Sequence, residues 1–154
     1  CRRLKEFSRR FKVQVYLEPG ESSITQSCEL VTKVLDIVRN RINISIVDAS
    51  AEAHMLDLLI YRLNAKINDS GKGKYKYMVA GRSCLAGDVF GTYNFRHPLK
   101  SGSIIRFSDA AGYTMVKKNW FNGLQMPSIA VKRLNGRIDL ERKFTYKDFV
   151  GSLS

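Results

Sequence analysis

The stretch Glu29–Val47, ELVTKVLDIVRNRINISIV, contains the two segments that decide the fold class. Residues 29–38 and 42–47 are rich in Val, Ile and Thr, which favour the extended backbone of a β-strand. The polar tripeptide Arg39–Arg41 separates them. The stretch therefore predicts two consecutive strands joined by a short polar connection.

Further strand patterns lie on both sides of this pair. Phe11–Leu17 alternates strictly between apolar and polar residues and stops before Pro19 and Gly20, so it predicts another strand. Four more strands are predicted, at or near Tyr75–Ala80, Ile104–Phe107, Ser128–Leu134 and Ile138–Phe144. Only the end of a surface helix at residues 2–10 and short helices elsewhere compete with them. The sequence therefore predicts a mostly-β (α+β) domain, a sheet or a barrel.

Local signals mark the turns and the C-terminus. Asn135-Gly136 lies between the last two predicted strands and predicts a type I′ hairpin turn. Thr145 and Asp148 have the spacing of a capping box, which predicts a short terminal helix. The Gly- and Lys-rich residues 68–74 lack the spacing of a phosphate-binding loop and predict an exposed loop. Residues 48–57 are small and polar, and predict a functional loop or a short helix.

Length and composition fit one domain or the tail of a larger protein. The chain has 154 residues, of which 44% are hydrophobic, so it can bury a core and is not a disordered sequence. Its 26 Lys and Arg against 14 Asp and Glu give a net charge of +12, which admits anionic partners without selecting among them. No apolar run approaches the roughly 20 residues that span a bilayer, so we expect no membrane partner.

The N-terminus and the cysteines indicate the compartment. The basic start of the chain has no apolar region behind it, so it is not a secretory signal, and the missing initiator Met suggests a start inside a longer reading frame. Cys1, Cys28 and Cys84 are odd in number and widely spaced, so they form neither a disulfide framework nor a CxxC metal pair. We expect a reducing compartment, the cytoplasm.

Three segments carry the residues that decide the function. They are Glu18–Glu21 (EPGE), Gly81–Asp88 (GRSCLAGD) and Ala110–Gly123 (AAGYTMVKKNWFNG), the last continuing to Met126–Ile129 (MPSI). In this order they resemble the carboxynorspermidine (carboxyspermidine) decarboxylases. These form a branch of the pyridoxal-phosphate (PLP) decarboxylases of alanine-racemase-like fold, and the resemblance covers nearly the whole chain.

The resemblance implies a two-domain enzyme of which this chain is the C-terminal part. Residues 1–27 would end the PLP-binding (β/α)8 barrel, with Phe11–Leu17 as its last strand, and residues 28–154 would form the C-terminal β-barrel-like domain. The lysine that forms the Schiff base would precede the chain. The implied reaction converts carboxynorspermidine or carboxyspermidine to norspermidine or spermidine in polyamine biosynthesis, in a homodimer with shared active sites.

The resemblance also assigns three residues to the cofactor. Glu18 matches the carboxylate that keeps a proton on the pyridine nitrogen, because adjacent negative charge favours the protonated form. Gly20 matches a glycine that lets the backbone approach the phosphate, and Tyr113 matches a phenol that donates to it. We therefore expect pyridoxal 5′-phosphate as cofactor.

The remaining assignments concern the substrate. Cys84 matches the thiol that protonates the substrate carbon after carbon dioxide leaves, and it enters the neighbouring subunit's pocket. Asp88 matches an acidic residue near the distal amine of the polyamine, and Asp57 is a second candidate for the substrate site. Phe121 and Asn122 are expected to line the mouth of the pocket.

Two positions depart from the family pattern. Glu21 stands where many relatives have an arginine that binds phosphate, as we expect in this branch. Met55–Leu63 is shorter than the family pattern and lacks its prolines, so the resemblance does not define the local loop or the fit of the substrate there.

Two alternatives remain at this stage. A diaminopimelate-type amino-acid decarboxylase has the same fold and shares the more widespread motifs. A basic nucleic-acid-binding β domain would need exposed rings among Lys and Arg, and only Lys74–Tyr77 shows that pattern, so we expect no nucleic-acid partner. His54 and His97 are far apart and have no clustered ligands around them, so we expect no metal site.

Overall fold

A five-stranded sheet and a separate hairpin form the framework of the protein. The structure, a computed structural model, describes residues 1–68 and 70–154. The strands are β1 (Leu30–Asn40), β2 (Ile42–Val47), β3 (Tyr75–Ala80), β4 (Val89–Phe95), β5 (Ile104–Phe107), β6 (Ile129–Lys132) and β7 (Ile138–Arg142). The helices are α1 (Arg2–Phe11), α2 (Ala51–His54), α3 (Asp57–Tyr61), α4 (Tyr113–Val116) and α5 (Tyr146–Gly151). The large sheet has the order β4-β3-β2-β1-β5, and β6 pairs with β7, so the prediction of a mostly-β domain is confirmed.

The stretch Glu29–Val47, which the sequence predicted as two strands, forms β1 and β2 in the interior of the large sheet. β1 and β2 are antiparallel, with Val38 opposite Ile44, and Arg41 makes the connection with a left-handed φ of 61°. β2 and β3 are parallel, which requires a crossover connection, and the segment between them carries α2 and α3. This crossover places the side chains of α2 and α3 beside the sheet.

Alternation along the strands builds the core. Leu30, Thr32 and Val34 of β1 are buried while their neighbours are exposed, as a strand with one covered face requires. Phe90 of β4 stacks on Phe107 of β5, with ring centroids 4.4 Å apart, and neither ring is exposed. Because β4 and β5 are the two edge strands, the large sheet curls so that its edges approach each other at this aromatic pair.

The predicted strand at Phe11–Leu17 does not form. α1 continues through Phe11, and Lys12 caps its end with a left-handed φ of 54°. The backbone N–H of Val13 donates to the Ser8 carbonyl, and the Ser8 hydroxyl donates to the Val13 carbonyl. No strand among the described residues pairs with residues 13–20, and an extended segment without a neighbour has no ladder to join.

Sequence patterns missed β4 and misjudged one turn. β4 contains Gly91 and Asn94, which disfavour strands; Gly91 is needed because a Cβ there would lie 2.6 Å from the Tyr93 hydroxyl. The hairpin of β6 and β7 is confirmed, but its turn is not type I′. Gly136 has a φ of 86° whereas Asn135 is not in the left-handed region, and type I′ needs positive φ at both residues.

The other local predictions hold. Thr145 and Asp148 form the predicted capping box at the start of α5. The predicted loop at residues 68–74 has no helix or strand in the part that is described, and Asp69 lies outside the described residues. Among residues 1–68 and 70–154, no helix combines the length and the apolar character that crossing a bilayer requires.

Candidate active site

Asp88 shapes the loop between β3 and β4. Its side chain is almost fully buried, with Oδ1 accepting from the N–H of Ala51 at 2.6 Å and Oδ2 from the N–H of Ser83 at 3.0 Å. Gly81 is required beside it, because a Cβ there would lie 2.2 Å from the carboxylate. Asp88 thus fixes the loop against the start of α2. Its contact with a substrate stays a prediction, and its placement favours a positioning role.

Cys84 lies at the tip of this loop, exposed to solvent. The side-chain amide of Asn122 donates to its Sγ at 2.9 Å. Asn122 has a left-handed φ of 56°, which asparagine tolerates better than most residues, and Gly123 continues the turn with a φ of 66°. The two predicted site residues thus meet although 38 positions separate them in the sequence.

Asn119 holds the turn at Phe121–Gly123 in place. Its side-chain amide donates to the Glu52 carbonyl at 3.1 Å, and its Oδ1 accepts from the N–H of Phe121 at 2.8 Å. Its own N–H donates to the Ala53 carbonyl at 2.9 Å. Because Asp88 also bonds to the first residue of α2, this helix positions both the thiol and its amide donor.

The segments that carry the predicted cofactor residues approach each other at Gly112 and Glu21. A Cβ on Gly112 would lie 2.9 Å from Ile24 and 3.3 Å from Glu21, so the residue before Tyr113 packs against the EPGE segment. Glu18 and Tyr113 are exposed, and a Cβ on Gly20 would meet open space. An exposed carboxylate, an open glycine backbone and an exposed phenol fit a phosphorylated pyridine that binds from outside this chain.

Lys117 links Asp57 to Tyr113. Its Nζ lies 2.6 Å from Asp57 Oδ1, 4.9 Å from the centroid of the Tyr113 ring and 5.8 Å from that of Tyr61. The hydrogen bond that Lys117 donates to the Asp57 carboxylate is the main cause that raises the pKa of Lys117 above its usual value. A predicted substrate residue and a predicted cofactor residue therefore share one lysine.

His54 lies behind the Cys84 loop. It is 4% exposed, and its Nδ1 accepts from the N–H of Ser50 at 3.1 Å. Burial, and then the positive charge of Arg82, lower the pKa of His54 to about 4, so the ring is neutral at pH 7. His54 and Arg82 line an open cavity of about 510 Å³ beside Gln125. No cluster of three or more metal-ligating side chains occurs within the described part of the chain.

A family of known proteins matches more than half of the chain. Residues 23–111 match the family described as pyridoxal-dependent decarboxylase, C-terminal sheet domain. The chain belongs to this family.

Two relatives show which members of the family the chain is similar to. Over its whole length the chain is 50% identical to a carboxynorspermidine/carboxyspermidine decarboxylase of Herminiimonas arsenicoxydans, of which it covers 42%. A protein of the same name from Campylobacter jejuni is 40% identical over 94% of the chain, which covers 42% of that protein. The chain therefore spans well under half the length of these relatives.

Crystal structures of decarboxylases match the fold of this chain. The crystal structure of carboxynorspermidine decarboxylase complexed with norspermidine, from Campylobacter jejuni, matches with a TM-score of 0.85 and 36% identity, over 96% of this chain and 44% of that one. Diaminopimelate decarboxylase from M. jannaschii matches with a TM-score of 0.73 and 25% identity, over 88% of this chain and 32% of that one. The resemblance inferred from the three motifs is confirmed.

Two contacts were not predicted from the sequence. Asn122 was expected at the pocket mouth, but its bond to Cys84 joins distant segments and has no local signal. The contact between Lys117 and Tyr113 did have a local signal in the sequence. Lys117 lies four residues after Tyr113, and this spacing brings two side chains together on a helix.

Proposed function

We propose that this chain is the C-terminal part of a PLP-dependent carboxy-lyase that converts carboxynorspermidine or carboxyspermidine to norspermidine or spermidine. The observation that carries the proposal is Cys84, an exposed thiol held by the amide of Asn122 on the motif loop. The substrate class comes from relatives with that name, one at 50% identity over the whole chain. Cytoplasmic polyamine biosynthesis is the corresponding role.

The domain arrangement is part of the proposal. Residues 1–27 would complete a PLP-binding (β/α)8 barrel supplied by the rest of the enzyme, and residues 28–154 form the β domain. Residues 1–27 expose large apolar side chains at Leu4, Phe7, Phe11, Val13, Tyr16 and Leu17. Burial of these side chains against a barrel would stabilise the joined protein by about 25 cal/mol for each Å² of apolar surface removed from water.

Three residues of this chain would hold the cofactor. The Glu18 carboxylate would retain a proton at the pyridine nitrogen, the Gly20 backbone would approach the phosphate, and the Tyr113 hydroxyl would donate to a phosphate oxygen. When bound, PLP supplies an electron sink for the pair of electrons left on carbon as carbon dioxide departs.

Cys84 would complete the reaction in the other subunit. In the proposed homodimer its thiol enters the neighbouring pocket and gives its proton to the carbon that has lost carbon dioxide. The Asn122 amide orients Sγ for this transfer, and Phe121 borders the same turn. A well-placed general acid contributes about 10²–10⁴-fold to the rate.

The proposal is tested with the full-length enzyme that carries this chain. We expect carbon dioxide release from carboxynorspermidine and carboxyspermidine, and much poorer release from diaminopimelate. If the enzyme prefers diaminopimelate, the alternative hypothesis of a diaminopimelate decarboxylase replaces the substrate assignment. The structural similarity to the M. jannaschii diaminopimelate decarboxylase is the observation that supports this alternative. Unchanged turnover after Cys84→Ala would remove the proposed general acid. Tight, salt-dependent binding to random oligonucleotides would instead support the nucleic-acid alternative.

A further inference from the structure

The ammonium group of Lys117 is surrounded by a carboxylate and two aromatic rings. We call Asp57, Tyr61 and Tyr113 the ammonium box. The Nζ atom lies 2.6 Å from Asp57 Oδ1, and 4.9 and 5.8 Å from the ring centroids of Tyr113 and Tyr61. A negative charge combined with aromatic faces at these distances is the chemistry that recognises alkylammonium ions.

Two short helices assemble this box. Asp57 and Tyr61 are the first and last residues of α3, four positions apart, and Tyr113 begins α4 with Lys117 four positions later. Residues four apart share one face of a helix, so both pairs face the gap between α3 and α4. The box therefore forms where the segment after His54 meets the motif that contains Tyr113.

We propose that the ammonium box binds a terminal primary ammonium group of the linear polyamine, and that Lys117 competes with this group for the box. This inference rests on the proposed function, since it needs a polyamine substrate. A lysine side chain is itself a primary ammonium on an alkyl chain, the same chemical unit that ends a polyamine. Lys117 is about one-third exposed and its stem is flexible, so it can leave toward solvent.

The other contacts of the box permit this exchange. Tyr113 presents its ring to the ammonium, which leaves its hydroxyl for the proposed phosphate contact. The pKa of Lys117 is raised mainly by Asp57, so Lys117 competes as a cation at neutral pH. Exchange of one ammonium for another keeps the Asp57 charge paired.

The first test measures norspermidine binding to the full-length holoenzyme by calorimetry. Lys117→Met removes the internal competitor and is expected to lower the dissociation constant about fivefold, the effect of removing a partly exposed ion pair that restricts access. Lys117→Arg retains a competitor and is expected to stay near the wild-type value. Unchanged or weaker binding in Lys117→Met would overturn the proposal, because a merely structural ion pair predicts that result.

Lys118→Met is the matched control. It removes the same charge from the next residue, whose Nζ donates to the Met115 carbonyl at 3.0 Å and lies outside the box. We expect its norspermidine affinity to equal that of the wild type. An equal gain in both variants would mean that net charge causes the effect, and would overturn the competition.

Asp57→Asn supplies a test that does not depend on how Lys117 variants fold. It preserves the shape of the side chain and removes the charge, so norspermidine is expected to bind about tenfold more weakly. Unchanged affinity would contradict the box. If the wild-type enzyme releases no carbon dioxide from either carboxylated polyamine, the proposed function fails; if it does but these affinities do not change as stated, only the present inference fails.

Discussion

Replacement of Asp88 separates a positioning role from a substrate-binding one. Its carboxylate is 3% exposed and accepts hydrogen bonds from the N–H groups of Ala51 and Ser83, at 2.6 and 3.0 Å. Asp88→Ala leaves both donors without a partner inside the protein. A buried donor without a partner costs about 1–3 kcal/mol. Ala51 is buried whereas Ser83 is half-buried and its N–H can turn to water, so the variant is expected to lose roughly 1–3 kcal/mol of stability. That is a large part of the total stability of an ordinary domain.

The assay is urea unfolding of the full-length holoenzyme, followed by circular dichroism, beside steady-state kinetics. Asp88→Asn should be less harmful, because its side-chain oxygen still accepts one bond while its NH₂ group faces the second donor. Asp36→Ala is the control, since Asp36 is exposed. Wild-type stability of Asp88→Ala combined with a large rise in KM for the polyamine would refute this reasoning, because the carboxylate would then act on substrate rather than on the loop.

Three further predictions concern other parts of the site. Asn122→Ala should lower kcat with little change in KM, because the thiol of Cys84 loses its orienting donor. A kcat equal to that of the wild type in steady-state assays of carbon dioxide release would contradict this. His54 has a pKa of about 4 against an ordinary 6.5, so the unfolded chain binds the extra proton between these values and stability falls as the pH drops from 6.5 to 4. The loss approaches about 3 kcal/mol, and urea unfolding of His54→Phe should show a flatter pH profile; an unaltered profile would exclude this source. Gly112→Ala should weaken PLP binding in spectroscopic titrations, because its Cβ would press on the EPGE segment, whereas Gly102→Ala, with a φ of 87° and open space around it, should not; equal effects would point to backbone strain alone.

The sequence predicted most strands because their patterns are local. β3 and β5 have the predicted bounds, since β-branched and aromatic residues mark each strand. Phe11–Leu17 has an equally good alternation, but alternation does not supply a neighbouring strand, and β pairing is a property of two segments. β4 was missed for the opposite reason: its glycine weakens the local signal while packing requires it.

In the candidate site, too, local motifs marked individual residues, whereas the contacts between distant segments could not be predicted. The motifs predicted Cys84, Glu18 and Tyr113 as site residues, and the structure shows all three exposed, which leaves them open to a ligand from outside this chain. The contact between Asn122 and Cys84 depends on how α2 holds two loops, which no spacing along the chain encodes. The burial of Asp88 likewise depends on the helix packed against its loop.

The account depends most on whether Cys84 acts across the subunit boundary. Subunits carrying Cys84→Ala and subunits carrying Glu18→Gln are each expected to be nearly inactive alone. If Cys84 serves the partner's site while Glu18 serves its own, each mixed dimer has one intact site and one doubly altered site. Reassembly from an equal mixture makes half of the dimers mixed, so activity should recover to about a quarter of the wild-type value. Mixed dimers in which activity stays at the level of the parent variants would contradict the account.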